Sequence, residues 1–77
     1  MAKQKLTYDY SKLKGKIKEV FGTQEAFADQ IGLSDRSVSL KLASQRSWKQ
    51  DEIINSIDVL KLTTDDIKPY FFVVKVQ

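Results

Sequence analysis

The chain has neither cysteine nor histidine among its 77 residues. Disulfides are therefore excluded, and the usual zinc sites lack their ligands. The same absences remove the commonest general bases and nucleophiles, so no enzyme is expected. No cofactor is expected either. The three glycines are well separated, so no phosphate-cradling loop exists. Asp65 and Asp66 are adjacent and face different directions in a helical turn, which suits capping better than catalysis. No apolar run approaches the length of a membrane span, and no signal peptide is visible. A cytoplasmic location with no membrane partner is the expectation. Internal repeats, low-complexity tracts and linkers are absent too. Stability must come from packing alone.

What is present fits one small globular domain. Apolar residues make up 42% of the chain, enough for a single modest core. Net charge is +3, which permits nucleic-acid binding without proving it. Its distribution says more. Residues 1–22 carry Lys3, Lys5, Lys12, Lys14, Lys16 and Lys18 against Asp9 and Glu19. Residues 23–43 carry Arg36 and Lys41 against Glu25, Asp29 and Asp35. The basic charge flanks the middle of the chain and does not lie on it.

Periodicity predicts an all-α fold of four to five short helices. Residues 1–7 read as a flexible arm, either a frayed terminus or a basic arm reaching phosphate or minor groove. Residues 8–77 form the domain. Tyr10, Leu13, Ile17 and Val20 recur at helical spacing over Tyr8–Phe21, with Asp9 or Ser11 as the cap. Gly15 sits mid-helix, either at a close approach or merely tolerated. Gly22 suits the left-handed residue after the helix. Gln50–Lys61 reads as a later helix with Ile53, Ile57 and Leu60 inward, and Trp48 is expected to pack under it. Asp65–Lys68 is a short turn that Pro69 ends. Tyr70–Val76 reads as an extended tail with no strand partner in the chain. Such a tail must pack on the helices, pair with a second copy as a homodimer, or meet another protein.

The organising stretch is Gln24–Ala43, QEAFADQIGLSDRSVSLKLA. It reads as two helices, Gln24–Ile31 and Asp35–Ala43, joined by a turn at Gly32. Thr23 and Ser34 are the expected caps. Phe27, Ala28 and Ile31 share one face of the first helix; Val38 and Leu42 share one face of the second. Leu33 plugs the turn. This is the pattern of a helix-turn-helix.

Gln24, Ala28, Gly32 and Val38 fall at the spacing seen in the repressor and Cro-like proteins of temperate phages. With YDYSKLKGKIKEVFG before the unit and RSWKQDEI and YFF after it, the chain resembles small regulators from phages of Gram-positive bacteria. The resemblance covers roughly Thr7 to Phe72. It implies one of two functions in the lysis–lysogeny switch. The first is a Cro-type regulator that reads double-stranded operator DNA with the helix at 35–43. The second is a modulator, or antirepressor, that uses the same helix to bind the DNA-reading face of a partner lysogeny repressor. The outward set on that helix is Ser34, Asp35, Arg36, Ser37, Ser39, Leu40 and Lys41. Arg36 matches guanine O6 and N7. Gln24 holds the family position that grips a phosphate, or is a plain surface glutamine. Lys12, Lys14, Arg46 and Lys49 are the expected phosphate contacts. Three features depart from the family pattern. Asp35 stands where lambdoid repressors often have glutamine, and a neighbouring Arg36 or lysine is the expected mask for its charge. Leu40 is apolar on the reading face, suited to a thymine methyl or to a protein patch. Lys41 stands where the family often has an apolar core residue.

Overall fold

The computed structural model describes residues 7–75. Among them the chain is all-α, in the order α1 (Ser11–Phe21), α2 (Gln24–Gln30), α3 (Asp35–Leu42), α4 (Gln50–Val59) and α5 (Ile67–Phe71). A 3-10 turn, Thr64–Asp66, leads into α5.

Each boundary has a local cause. Thr23 Oγ1 accepts the Ala26 N–H at 3.1 Å, and Ser34 Oγ accepts the Ser37 N–H at 3.1 Å, so both expected caps are in place. Gly32, at φ 74°, ends α2. The Leu33 N–H then reaches the Ala28 carbonyl at 3.0 Å and the Gly32 N–H reaches Asp29 at 3.3 Å, the paired bonds of a Schellman stop. α3 and α4 end the same way without glycine, at Ser44 (φ 62°) and Lys61 (φ 59°). Nothing in the sequence marks those two left-handed positions. A Cβ on Gly15 would meet nothing, so that glycine is merely tolerated.

The core collects Leu13 and Ile17 from α1, Phe27 and Ala28 from α2, Val38 and Leu42 from α3, Ile53 and Ile57 from α4, and Phe71 from α5. Leu13, Phe27 and Val38 are fully buried. Burying one such side chain contributes about 1.5–3 kcal/mol. Val20, expected on the α1 stripe, is 38% exposed. Phe21, one position on, takes the packing in its place, with its ring 5.8 Å from that of Phe27.

The two ends of the chain depart from expectation together. α1 starts at Ser11, where the Asp9 carboxylate accepts both the Ser11 N–H at 2.9 Å and its hydroxyl at 2.6 Å. Those hydrogen bonds hold the Asp9 carboxyl below the ordinary aspartate range. Pro69 does not stop a helix. It sits in the first turn of α5, where helical N–H groups need no intrahelical partner. Tyr70 and Phe71 are therefore helical, and Phe71 is buried. The extended tail begins only after them, and it does have a partner. Tyr8 and Val74 form an antiparallel bridge. The Asp9 N–H donates to the Val73 carbonyl, and the Lys75 N–H to the Thr7 carbonyl, each at 2.7 Å. Tail and arm satisfy each other, a pairing too distant in sequence for local patterns to reveal. Of the expected arm, residues 1–6 lie outside the described residues, as does Val76 of the tail.

Candidate functional site

α3 presents the predicted surface, and capping sorts its residues. Asp35, Arg36 and Ser39 are exposed; Ser37 and Leu40 are half-buried. Ser34 is exposed, but its hydroxyl already holds the Ser37 N–H and lies 3.0 Å from the Ser37 hydroxyl. Ser34 thus serves the helix end first.

Gln24 does not point away from the protein. Its Nε2 lies 3.0 Å from Asp35 Oδ1, 3.3 Å from the Asp35 carbonyl and 2.6 Å from Ser39 Oγ. A carboxylate and a carbonyl only accept, so the amide NH2 must face them. Gln24 therefore brackets α2 to the start of α3. Asp35 makes no ion pair with Arg36 or a lysine among the described residues; the glutamine takes the place of that expected mask. One carboxylate oxygen, Oδ2, has no partner among those residues.

Lys41 is not on the outward face. It is 3% exposed, and its Nζ lies 2.7 Å from Glu52 Oε1 and 2.9 Å from the Ser47 carbonyl. The reason is spacing: Val38, Lys41 and Leu42 stand at i, i+3 and i+4 on the buried stripe. The departure at position 41 was thus a sign of a buried cation. Nζ also stands 5.9 Å over the Trp48 ring. Glu52 accepts the Lys49 N–H at 2.8 Å as well, closing the first turn of α4. Burial works against the Glu52 charge, but the hydrogen bonds from Lys41 and the Lys49 N–H outweigh it. Its carboxyl is held below the ordinary glutamate value.

The four expected phosphate contacts do not form one patch. Lys12 and Lys14 are two apart on α1 and point to different sides. Lys12 Nζ lies 5.0 Å over the Tyr70 ring, on the α5 side. Lys14 lines a cleft with Gln24 and Leu42, beside the α2–α3 unit. Lys18 shares that cleft; the i, i+4 spacing from Lys14 is the signal that finds it. Arg46 Nη1 is 3.4 Å from Ser37 Oγ, so Arg46 adjoins α3. Lys49 is the exposed residue before α4, away from that cleft. Trp48 is half-buried, and its ring partners are Tyr10 and Phe71, at 6.4 and 5.3 Å. It closes against the start of α1 and α5 rather than lying under α4 alone.

This geometry coincides with a family assignment. The family described as "Protein of unknown function (DUF739)" matches residues 6–74. The chain belongs to that family. Its fold is similar to the solution structure of the modulator of repression (MOR) of the temperate bacteriophage TP901-1 from Lactococcus lactis. Identity is 54%, the TM-score is 0.76, and the match covers 91% of this chain and 95% of that one. The family member described here is thus built like a small phage regulator. No curated protein matches the chain. Among the described residues no helix is long and apolar enough to cross a membrane.

Proposed function

We propose that this chain is a modulator of repression that binds the DNA-reading face of a phage lysogeny repressor through α3. Its likeness to a modulator of repression favours this over operator reading, the other function that the sequence resemblance implies. One structural observation carries the choice. Gln24, the side chain suited to grip phosphate, instead holds the Asp35 carboxylate in place at 3.0 Å. A fixed carboxylate at the front of α3 repels a phosphate backbone and attracts the cations that a repressor uses for DNA. Leu40, half-buried on the same helix, supplies the apolar anchor such an interface needs. Occupying the repressor's reading surface would block its operator by competition.

Operator binding is the second reading, favoured by Lys14, Lys18 and Arg46 around the unit. Titration of Leu40→Ala and Arg36→Ala against the repressor and against operator DNA separates the two. For a modulator, Leu40→Ala weakens repressor binding by about 2 kcal/mol or more, and the protein alone shifts no operator. For a DNA reader, wild type shifts the operator with steep salt dependence, and Arg36→Ala loses about 1–3 kcal/mol at one base pair. That second outcome would overturn the proposal.

A further inference from the structure

Five aromatic side chains, Tyr8, Tyr10, Trp48, Phe71 and Phe72, converge on one groove of about 720 Å3. Packing accounts for its floor, since Tyr10 and Phe71 are buried. It accounts for the rim only in part, where Tyr8 and Trp48 rest against the core. Phe72 is 49% exposed, and Tyr8 and Trp48 are half-buried. The Trp48 indole N–H is buried with no acceptor among the described residues. Native folds satisfy nearly all such donors. Among the described residues Arg46 lines the groove and no carboxylate does. The groove is therefore apolar inside, rich in donors and positive at its edge.

We propose that this groove docks a linear acidic peptide segment of a partner protein. One bulky apolar side chain of the segment enters beside Trp48 and Phe72, and a flanking carboxylate pairs with the Arg46 guanidinium, whose fork matches it. Single-stranded nucleic acid fits less well. It needs free ring faces and a run of cations. Among the described residues Arg46 is the one lining cation, and most of the ring pairs are edge-on, Trp48 against Phe71 at 5.3 Å and 85°. Arg46 reaches both, with Nη1 3.4 Å from Ser37 Oγ on α3, but the aromatic rim of Tyr8, Trp48 and Phe72 lies off that helix.

The single tryptophan lines the groove, so its emission reports occupancy directly. The full chain is titrated with a blocked hexapeptide having a Leu-Phe centre flanked by Asp and Glu. Control peptides carry Asn and Gln for the acids, or Ala-Ala for the centre; oligothymidylate is a further arm. Backbone amide shifts of residues 44–48 and 71–73 provide a second readout. Saturable binding is expected, with the acidic peptide about tenfold tighter than either control. Arg46→Gln should erase the preference for acid while leaving the thermal melt unchanged, and Phe72→Ser should weaken every peptide. Leu40→Ala should leave peptide binding intact whatever it does to a repressor or operator. Equal binding of acidic and amide peptides, no saturable response, or preference for oligothymidylate would each overturn the proposal. So would an emission change driven by protein concentration alone, which would place a second copy in the groove.

Discussion

The crossing of α2 on α3 and the seam that closes the chain ends are held by opposite kinds of contact. At the crossing, Phe27, Ala28 and Val38 meet in a dry centre, the turn between them is a few residues long, and Gln24 brackets the outside. At the seam, a buried cation meets a nearly buried carboxylate, Trp48 stands edge-on to Tyr10 and Phe71, and two extended end segments share backbone bonds. The crossing joins neighbours in sequence and depends on shape. The seam's backbone bonds join residues more than sixty apart, its ion pair spans the same short distance in sequence as the crossing, and the whole depends on polar groups finding each other. Apolar contacts fail by leaving a cavity, whereas polar ones fail by leaving an orphan.

The largest expected effect comes from the crossing. Phe27→Ala removes a fully buried ring between α1, α2 and α3, and should cost about 3–5 kcal/mol. That is most of the stability of a domain this small. Loss of the cooperative melt by circular dichroism is the expected result. A retained sharp transition would mean that the seam alone holds the fold.

Next comes the ion pair. Lys41→Ala leaves Glu52 without its buried partner and should cost about 3 kcal/mol, whereas Lys41→Met paired with Glu52→Leu should cost less, the remainder reflecting the Ser47 carbonyl and Lys49 N–H left without their partners. The pair also gives the seam a pH signature. Glu52 is held below its ordinary value of about 4.5 when folded, so its contribution is complete above that value. It is lost as pH falls through the lowered folded value. Glu52→Gln should flatten the stability profile over that acid range. A profile identical to wild type would show that Glu52 has the same proton affinity folded and unfolded.

The same contrast explains what could be read from the sequence. The caps at Thr23 and Ser34, the turn at Gly32 and the inward set Phe27, Ala28, Val38 and Leu42 follow from residue type at fixed local spacing, and the structure has each of them. Lys41 reads as outward because its type says surface, while its i, i+3 relation to Val38 says core. Residue type outweighs spacing unless the partner, Glu52, is known. Sequence pattern offers the tail no strand partner because a bridge from Val74 to Tyr8 leaves no local trace. The left-handed stops at Ser44 and Lys61 carry no glycine to announce them. At the candidate site, sequence supplied the residues but not their orientation. Only the folded chain turns Gln24 inward and separates Lys12 from Lys14.

A smaller effect is expected at the ends. Removing residues 73–77 deletes the Tyr8–Val74 bridge with its two backbone hydrogen bonds at 2.7 Å. The cost should be about 1–2 kcal/mol, since Val73, Val74 and Lys75 are themselves exposed. Denaturant melts should shift in midpoint and hardly in slope. A change in slope would mean that the ribbon governs packing far beyond its own two bonds.

The smallest effect on stability, and the most informative for function, belongs to Gln24. Its three hydrogen bonds lie at the surface, where water replaces them readily, so Gln24→Ala should cost only about 0.5–1 kcal/mol. Its effect on binding depends on what Asp35 does. If Asp35 meets a repressor cation, freeing its side chain lowers repressor affinity several-fold, and a cycle with Asp35→Asn shows coupling, because each mutation removes the same contact. If α3 reads DNA, the bracket must open so that the amide can reach a phosphate. Gln24→Ala would then weaken all operator sequences alike and leave the salt slope unchanged, because the amide is neutral. Asp35→Asn would strengthen DNA binding by removing a repulsive charge. Additive losses toward the repressor, together with uniform losses toward DNA, would assign Gln24 to phosphate and return α3 to the operator.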